Sequence, residues 1–266
     1  MASPPERGRL LAATAAAGIC LLAAGCGRAN LLRSSGRKRA AHGALVGSAR
    51  GRGPVIEAER VPVPVPLSAA LADTFASAVS LRRVDLPGAT PSPRSKTPPA
   101  EEREAARCGS HGAAALGGAR SPDYQRGAGL DRESISSAVS VLGDAAAVRG
   151  DLEYGASASG LACYAKVLSR SIRREQSSTV RLLSLHVSPL RLSVAPRELA
   201  GGIRISARVG LTGEPIAVQL FVDALSLPYG PAELDLYSTS FVQPVPERTE
   251  HELLRLMLER ARLQRL

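Results

Sequence analysis

In Ile203-Arg-Ile-Ser-Ala-Arg-Val209, four apolar residues (Ile203, Ile205, Ala207, Val209) alternate with Arg204, Ser206 and Arg208. A strict period of two places the apolar set on one face of a strand and the polar set on the other, whereas on a helix it would scatter both. A half-buried strand needs paired neighbours, and the flanking sequence supplies candidates. Val180 to Val187 reads as a strand before it, and Ile216 to Leu225 and Glu233 to Val242 read as strands after it. The last two join through Tyr229-Gly-Pro231, and Ile135 to Val141, with Ile135, Val139 and Val141 on one face, adds a strand upstream. Short connections imply an antiparallel meander.

Helical spacing accounts for much of the rest. Leu67, Leu71, Phe75 and Val79 recur every three to four residues behind Ser68, which predicts an amphipathic helix over 68–80. Asp144 caps a short helix running to about Leu152. Ser157 or Ser159 opens another, striped by Leu161, Ala165, Leu168 and Ile172 beside Tyr164. A final helix starts after Pro246, with Thr249-Glu-His-Glu252 as a capping box, and its Leu253, Leu256, Met257 and Leu263 are expected to pack on the sheet. Asp85-Leu-Pro-Gly88 reads as a turn, Ala89 to Ala100 as a loop, 101–107 as a short helix, and Gly109 to Gly129 as too glycine-rich for regular structure. The expected architecture for 67–266 is an α+β domain: an antiparallel sheet of about five strands with helices packed on one face.

The first 66 residues follow different rules. Arg7 and Arg9 precede an uncharged, mostly apolar run from Leu10 to Ala24, and small residues lead into Cys26. This is the layout of a secretory signal. Fifteen residues at 1.5 Å each reach only about 22 Å, short of the roughly 30 Å hydrocarbon layer, which disfavours a permanent spanning helix. Leu22-Ala-Ala-Gly-Cys26 resembles a bacterial lipobox, with Ala23 where Leu is commoner. On that resemblance residues 1–26 are a lipoprotein signal peptide and the Cys26 thiol is acylated, anchoring the chain to the extracytoplasmic face of the cell membrane. A soluble secreted protein cleaved near Ala24 and an organelle transit peptide, suggested by the single acidic residue in 1–56, are the competing readings.

Residues 27–66 are expected to be a disordered basic and proline-rich tether, ending in Val61-Pro-Val-Pro-Val-Pro66, which favours an extended polyproline segment. Dividing the formal charge of +10 along the chain changes its meaning. Eight basic residues against Glu57 and Glu59 lie within 27–60, so most of the excess belongs to the tether. Arg37-Lys-Arg39 lacks interleaved aromatics and follows an export signal, so no nucleic-acid partner is expected.

Of the four cysteines, Cys20 would leave with the signal and Cys26 would be lipidated. Cys108 and Cys163 remain, an even pair that reads as a disulfide in an exported protein, with two buried free thiols as the alternative. Residues 81–185, through Asp85-Leu-Pro-Gly88, Cys108, Ser121-Pro-Asp-Tyr124, the Ile135–Val141 strand, an Ala-rich helix and Cys163, resemble actinobacterial exported sensor-like domains. Such domains include the extracellular parts of receptor serine/threonine kinases. With the closing strands and the terminal Leu253-Leu254 helix, the likeness spans roughly 67–266. It implies an extracytoplasmic α+β domain with a concave binding face and no catalytic activity. The chain departs from those kinases in lacking a kinase segment.

Catalytic patterns are sparse. Cys108-Gly-Ser-His111 has zinc-like spacing without a second ligand pair, and His42, His186 and His251 are scattered; no metal or cofactor is expected. Gly155-Ala-Ser-Ala-Ser-Gly160 has a superficial likeness to a nucleophile elbow but precedes a helix, where Ser157 or Ser159 serves better as a cap. Glu101, Glu102 and Glu104 form a solvated charge run. The expectation is a monomeric, lipid-anchored cell-envelope protein that binds a small molecule, glycan or envelope protein without catalysis. An assembly factor and an exported hydrolase are the alternatives.

Overall fold

The computed structural model describes residues 67–92, 108, 114–175, 180–196, 198–211, 217–264 and 266, and every structural statement below concerns these. The signal segment with Cys26, the tether, His42, His111 and the helix expected over 101–107 lie outside them.

Ser68 opens helix α1 (Ala69–Val79), its hydroxyl accepting from the Leu71 N–H at 3.2 Å, and Ala72, Phe75, Ala76 and Val79 form the buried stripe. A 3₁₀ turn over Arg83–Asp85 follows, and Gly88 takes the left-handed conformation needed to reverse the chain, φ +79°. The chain then builds strands β1 (Thr90–Ser92), β2 (Gly117–Arg120), β3 (Asp123–Arg126), β4 (Glu133–Val141), β5 (Val180–Ala195), β6 (Glu198–Leu211), β7 (Ala217–Tyr229) and β8 (Ala232–Phe241). Three more helices are α2 (Ala145–Gly155), α3 (Ala158–Glu175) and α4 (Glu247–Leu263).

All eight strands belong to one antiparallel sheet in the order β1-β3-β4-β8-β7-β6-β5, with β2 beside β3 along the same edge of β4. The fold is therefore α+β, with a sheet larger than the expected five strands. Two of the additional strands arise in the glycine-rich stretch expected to lack regular structure. Gly117 is there for close approach: an added Cβ would press on the Asp73 carboxylate and the Ala72 methyl, and the Gly118 N–H donates to Asp73 Oδ1 at 2.9 Å. β5 also outruns its expected end at Val187 by eight residues, continuing as an edge strand through Pro189.

Helices cover both faces, not one. From β4 the chain must reach β5, with β8, β7 and β6 lying between them in the sheet. α2 and α3 form that crossover and pack over one face, with α2 against β6, β7 and β8 and α3 against β5. α1 and α4 lie on the other. Each face has its own core. Phe75, Ile135, Val139, Leu225, Leu234, Leu236, Leu254, Met257 and Leu258 pack under α1 and α4. Tyr164, Val167, Ile203, Ile205, Ala207, Val209, Leu220 and Val222 pack under α3 with Cys108. The same alternation that marks β6 as a strand thus sends Ile203, Ile205, Ala207 and Val209 to the second core. Cys108 and Cys163 form a disulfide there, with Cα atoms 5.4 Å apart.

α4 starts directly after Pro246, as expected, but without the capping box expected at Thr249 to Glu252. Pro246 is the N-cap residue, with no side-chain cap bond, and Thr249 to Glu252 lie within the helix. Leu253, Leu254, Met257 and Leu258 are buried, Leu256 packs at the margin, and Leu263 points outward at 81% exposure, contrary to its expected place in the core. No helix among the described residues is long and apolar enough to cross a membrane.

Candidate functional site

The geometry of β8 decides where chemistry gathers. Lying between β4 and β7 and covered on both sides, it is buried along nearly its whole length. Its Ala232, Leu234 and Leu236 join the α1/α4 core, and the alternate residues Glu233, Asp235 and Tyr237 turn beneath the crossover helices. A central strand thereby carries two carboxylates into the interior, where an unpaired charge would be costly. They are accommodated at a recess.

That recess, of about 60 Å³, is bounded by β6, β7 and β8 on the sheet side and by α2 and Tyr164 of α3 on the other. It exists because of an omission. Gly201 shares a face with Ile203 and Ile205, and a Cβ there would meet nothing within 4 Å. The next residue behaves differently: a Cβ on Gly202 would collide with the Ala224 carbonyl. The C-terminal end of α2, at Gly155 and Ala156, completes the wall without side-chain bulk.

Three carboxylates line the space: Asp151 of α2 at 2% exposure, Glu233 at 8% and Asp235 at 4%. The Ser226 hydroxyl donates to Asp235 Oδ1 at 2.5 Å. Tyr164 and Tyr237 contribute rings and phenolic hydroxyls, and none of these carboxylates or tyrosines is without a partner. The lining is rich in acceptors. Its volume corresponds to about two waters, far below the several hundred Å³ of a metabolite pocket, so it fits one small polar group. No group of three or more His, Cys, Asp or Glu residues among the described ones is arranged to hold a metal ion.

A second polar cluster lies on the opposite face, under α4. Arg204 grips Asp223 with two hydrogen bonds, 2.8 and 2.7 Å, and the Asp223 side chain is 1% exposed. Glu250 of α4, also 1% exposed, accepts from the Ser238 hydroxyl at 2.7 Å through Oε1, and no donor reaches its Oε2. Burial first, and then the nearby Asp223 carboxylate, push the Glu250 carboxyl up to about 8 against the opposing pull of Ser238 and Arg204. A carboxyl raised this far keeps its proton at neutral pH. The hydrogen bond to Asp223, ahead of the ion-pair attraction, in turn raises the Arg204 pKa. This cluster fastens α4 to the sheet.

The residues singled out from sequence are dispersed. Ser157 is a cap: its hydroxyl donates to the Tyr154 carbonyl at 2.6 Å and accepts from the Gly160 N–H at 3.1 Å. Ser159 is exposed in the first turn of α3. His186 is exposed in the middle of edge strand β5, and His251 is half-buried on α4. Neither histidine lines the recess. Cys108, one half of the zinc-like pair, is consumed by the disulfide. Glu101, Glu102 and Glu104 lie outside the described residues.

Sequence reasoning missed Asp151, Ser226, Glu233, Asp235 and Tyr237. In a half-buried strand Glu233 and Asp235 would face water, and only the central position of β8 turns them inward. No family model, curated protein or solved structure matches the chain.

Proposed function

We propose that this chain is a lipid-anchored protein of the cell envelope whose α+β domain is a non-catalytic binding module of the sensor-like type. The recess under α2 and α3 is its contact point. The recess itself carries this reading. It gathers three buried carboxylates, a serine and two tyrosines from four separate elements around a space left by a missing side chain. It holds no nucleophile–base pair involving histidine. A space this small reads a single hydrogen-bond-donating or cationic group, as on an amine or amino sugar, and leaves the rest of the ligand outside.

Placement outside the cytoplasmic membrane is supported by two features at opposite ends of the argument. One is the apolar run that stops at Cys26. The other is the Cys108–Cys163 bridge, a bond that persists in oxidising compartments.

Two experiments test the two halves. Metabolic labelling with palmitate is expected to mark the protein and to fail in Cys26→Ser; absence of label from the wild type removes the anchor. A thermal-shift screen of amines and amino sugars is expected to raise Tm in the wild type and not in Gly201→Leu, whose side chain fills the recess. A ligand that stabilises both forms equally places the contact elsewhere.

A further inference from the structure

The face of the sheet under α4 is covered only in part. α4 packs against β8, β7 and β5, yet Arg181 and His186 on β5 and Arg208 on β6 remain exposed. The register carries them to one surface. Arg208 stands opposite Gln219, Arg181 opposite Gly210, and His186 lies in line with Ser206 and Phe221. Cross-strand partners share a face, so these side chains and half-buried Arg204 point away from the disulfide core, which takes the intervening apolar residues.

Charge defines what this surface can hold. Among the described residues of these stretches of β5, β6 and β7 the one acid is Asp223, committed to Arg204 through two hydrogen bonds, while Glu247 and Glu250 of α4 lie near Arg204 at the margin. Neither Arg181 nor Arg208 has a carboxylate partner among the described residues. The segment 27–60, with eight Arg and Lys against two Glu, carries the same sign of charge as this surface, as would a second copy, so neither complements it. Three strands at about 4.8 Å spacing, and about 13 Å along β6 from Arg204 to Arg208, give a flat grid larger than one phosphate or carboxylate. Serine, glutamine and histidine side chains between the arginines can exchange hydrogen bonds with hydroxyls, and Phe221 supplies an apolar platform.

We propose that this open face binds an acidic glycan chain, with Arg181 and Arg208 pairing to its carboxylate or phosphate groups and the intervening polar side chains meeting its sugar hydroxyls. The surface lies on the side of the sheet opposite the recess and does not depend on it.

Affinity electrophoresis of the full chain carrying Cys26→Ser, through gels containing polygalacturonate or neutral dextran, tests the assignment. Retardation is expected in polygalacturonate alone. It should weaken about tenfold in apparent affinity when Arg181→Ser and Arg208→Ser are added, and be unchanged by Gly201→Leu. Both arginines are exposed, so their replacement should leave Tm unaltered. Equal retardation with and without the two arginines would assign the binding to the tether and overturn the proposal, as would no retardation at all. Sedimentation with phosphatidylglycerol vesicles is the third arm. If loss of the two arginines reduces vesicle binding while polygalacturonate retardation is absent, the face is a lipid surface and the glycan assignment fails.

Discussion

Arg260 and Asp85, separated by 175 residues in sequence, meet as a two-pronged ion pair, Nη1 to Oδ2 at 2.8 Å and Nη2 to Oδ1 at 2.6 Å. The arginine also donates to the Ser80 carbonyl at 3.1 Å, and Asp85 accepts from the Arg82 N–H at 2.7 Å. The pair locks the last turns of α4 to the turn that follows α1, with side-chain exposures of 18% and 5%. Removing one member leaves the other buried charge without its partner. Arg260→Ala should therefore cost about 3 kcal/mol in urea unfolding. In a double-mutant cycle with Asp85→Ala the two losses should be strongly non-additive. Additive losses would show that the pair is not coupled.

The protonated Glu250 sets the direction of the pH response. Its folded pKa, about 8, lies above the ordinary value of 4.5, so between those values the folded chain keeps a proton that the unfolded chain releases. Stability must then fall as pH rises through that window, by about 5 kcal/mol at most, and level off above about 8. The groups around the carboxyl are Asp223, Arg204 and Ser238, with Glu247 on its own helix. Glu250→Gln keeps a neutral donor in place and should flatten the slope between pH 5 and 8. Urea midpoints measured across that range check it, and an unchanged slope in the variant would assign the dependence to another group.

How much of this was visible in the chain differs from element to element. The alternation through Ile203 to Val209, the turn at Tyr229-Gly-Pro231, and the caps at Ser68 and Asp144 are local signals, and each occurs where it was expected. Long-range placement has no such signal. Leu234 and Leu236 mark β8 as a strand, but nothing near them shows that β4 and β7 will flank it or that α2 will cross above Glu233 and Asp235. The same blindness affects Glu250. The start of α4 after Pro246 is legible, but reading Thr249 to Glu252 as a capping box leaves Glu250 in a polar first turn, whereas the helix buries it against the sheet. Gly201 is the hardest to foresee, since a missing side chain leaves no pattern.

The disulfide should act through the core beneath α3. Cys108 is fully buried beside Tyr164 and Val167, and the bridge closes a loop of 55 residues. In the chain-entropy account such a loop contributes about 4 kcal/mol, chiefly by restricting the unfolded chain. Cys108→Ser/Cys163→Ser, or dithiothreitol treatment of the wild type, should lower stability by up to that amount. The Arg260–Asp85 contribution should be untouched, because that pair lies on the other face of the sheet. Equal stability of oxidised and reduced protein would remove the bond from the energetics of the fold.

Gly201 and Gly202 are adjacent on β6 and should respond oppositely to the same substitution. A methyl at 201 projects into the recess, where nothing lies within 4 Å, and neither glycine has positive φ, so Gly201→Ala introduces no backbone strain. It also restricts the unfolded chain, which favours folding by about 0.5 kcal/mol. A methyl at 202 meets the Ala224 carbonyl, a backbone atom that moves only if β7 moves with it. Gly202→Ala should therefore cost about 2 kcal/mol or more, in the range of overpacked sites. Because β7 carries Ser226, the shift should also disturb its hydrogen bond to Asp235 and weaken any ligand held in the recess. Comparing the urea midpoints of the two alanine variants separates these effects. Equal destabilisation would mean that the space beside Gly201 is closed in solution, and the recess would lose its physical basis.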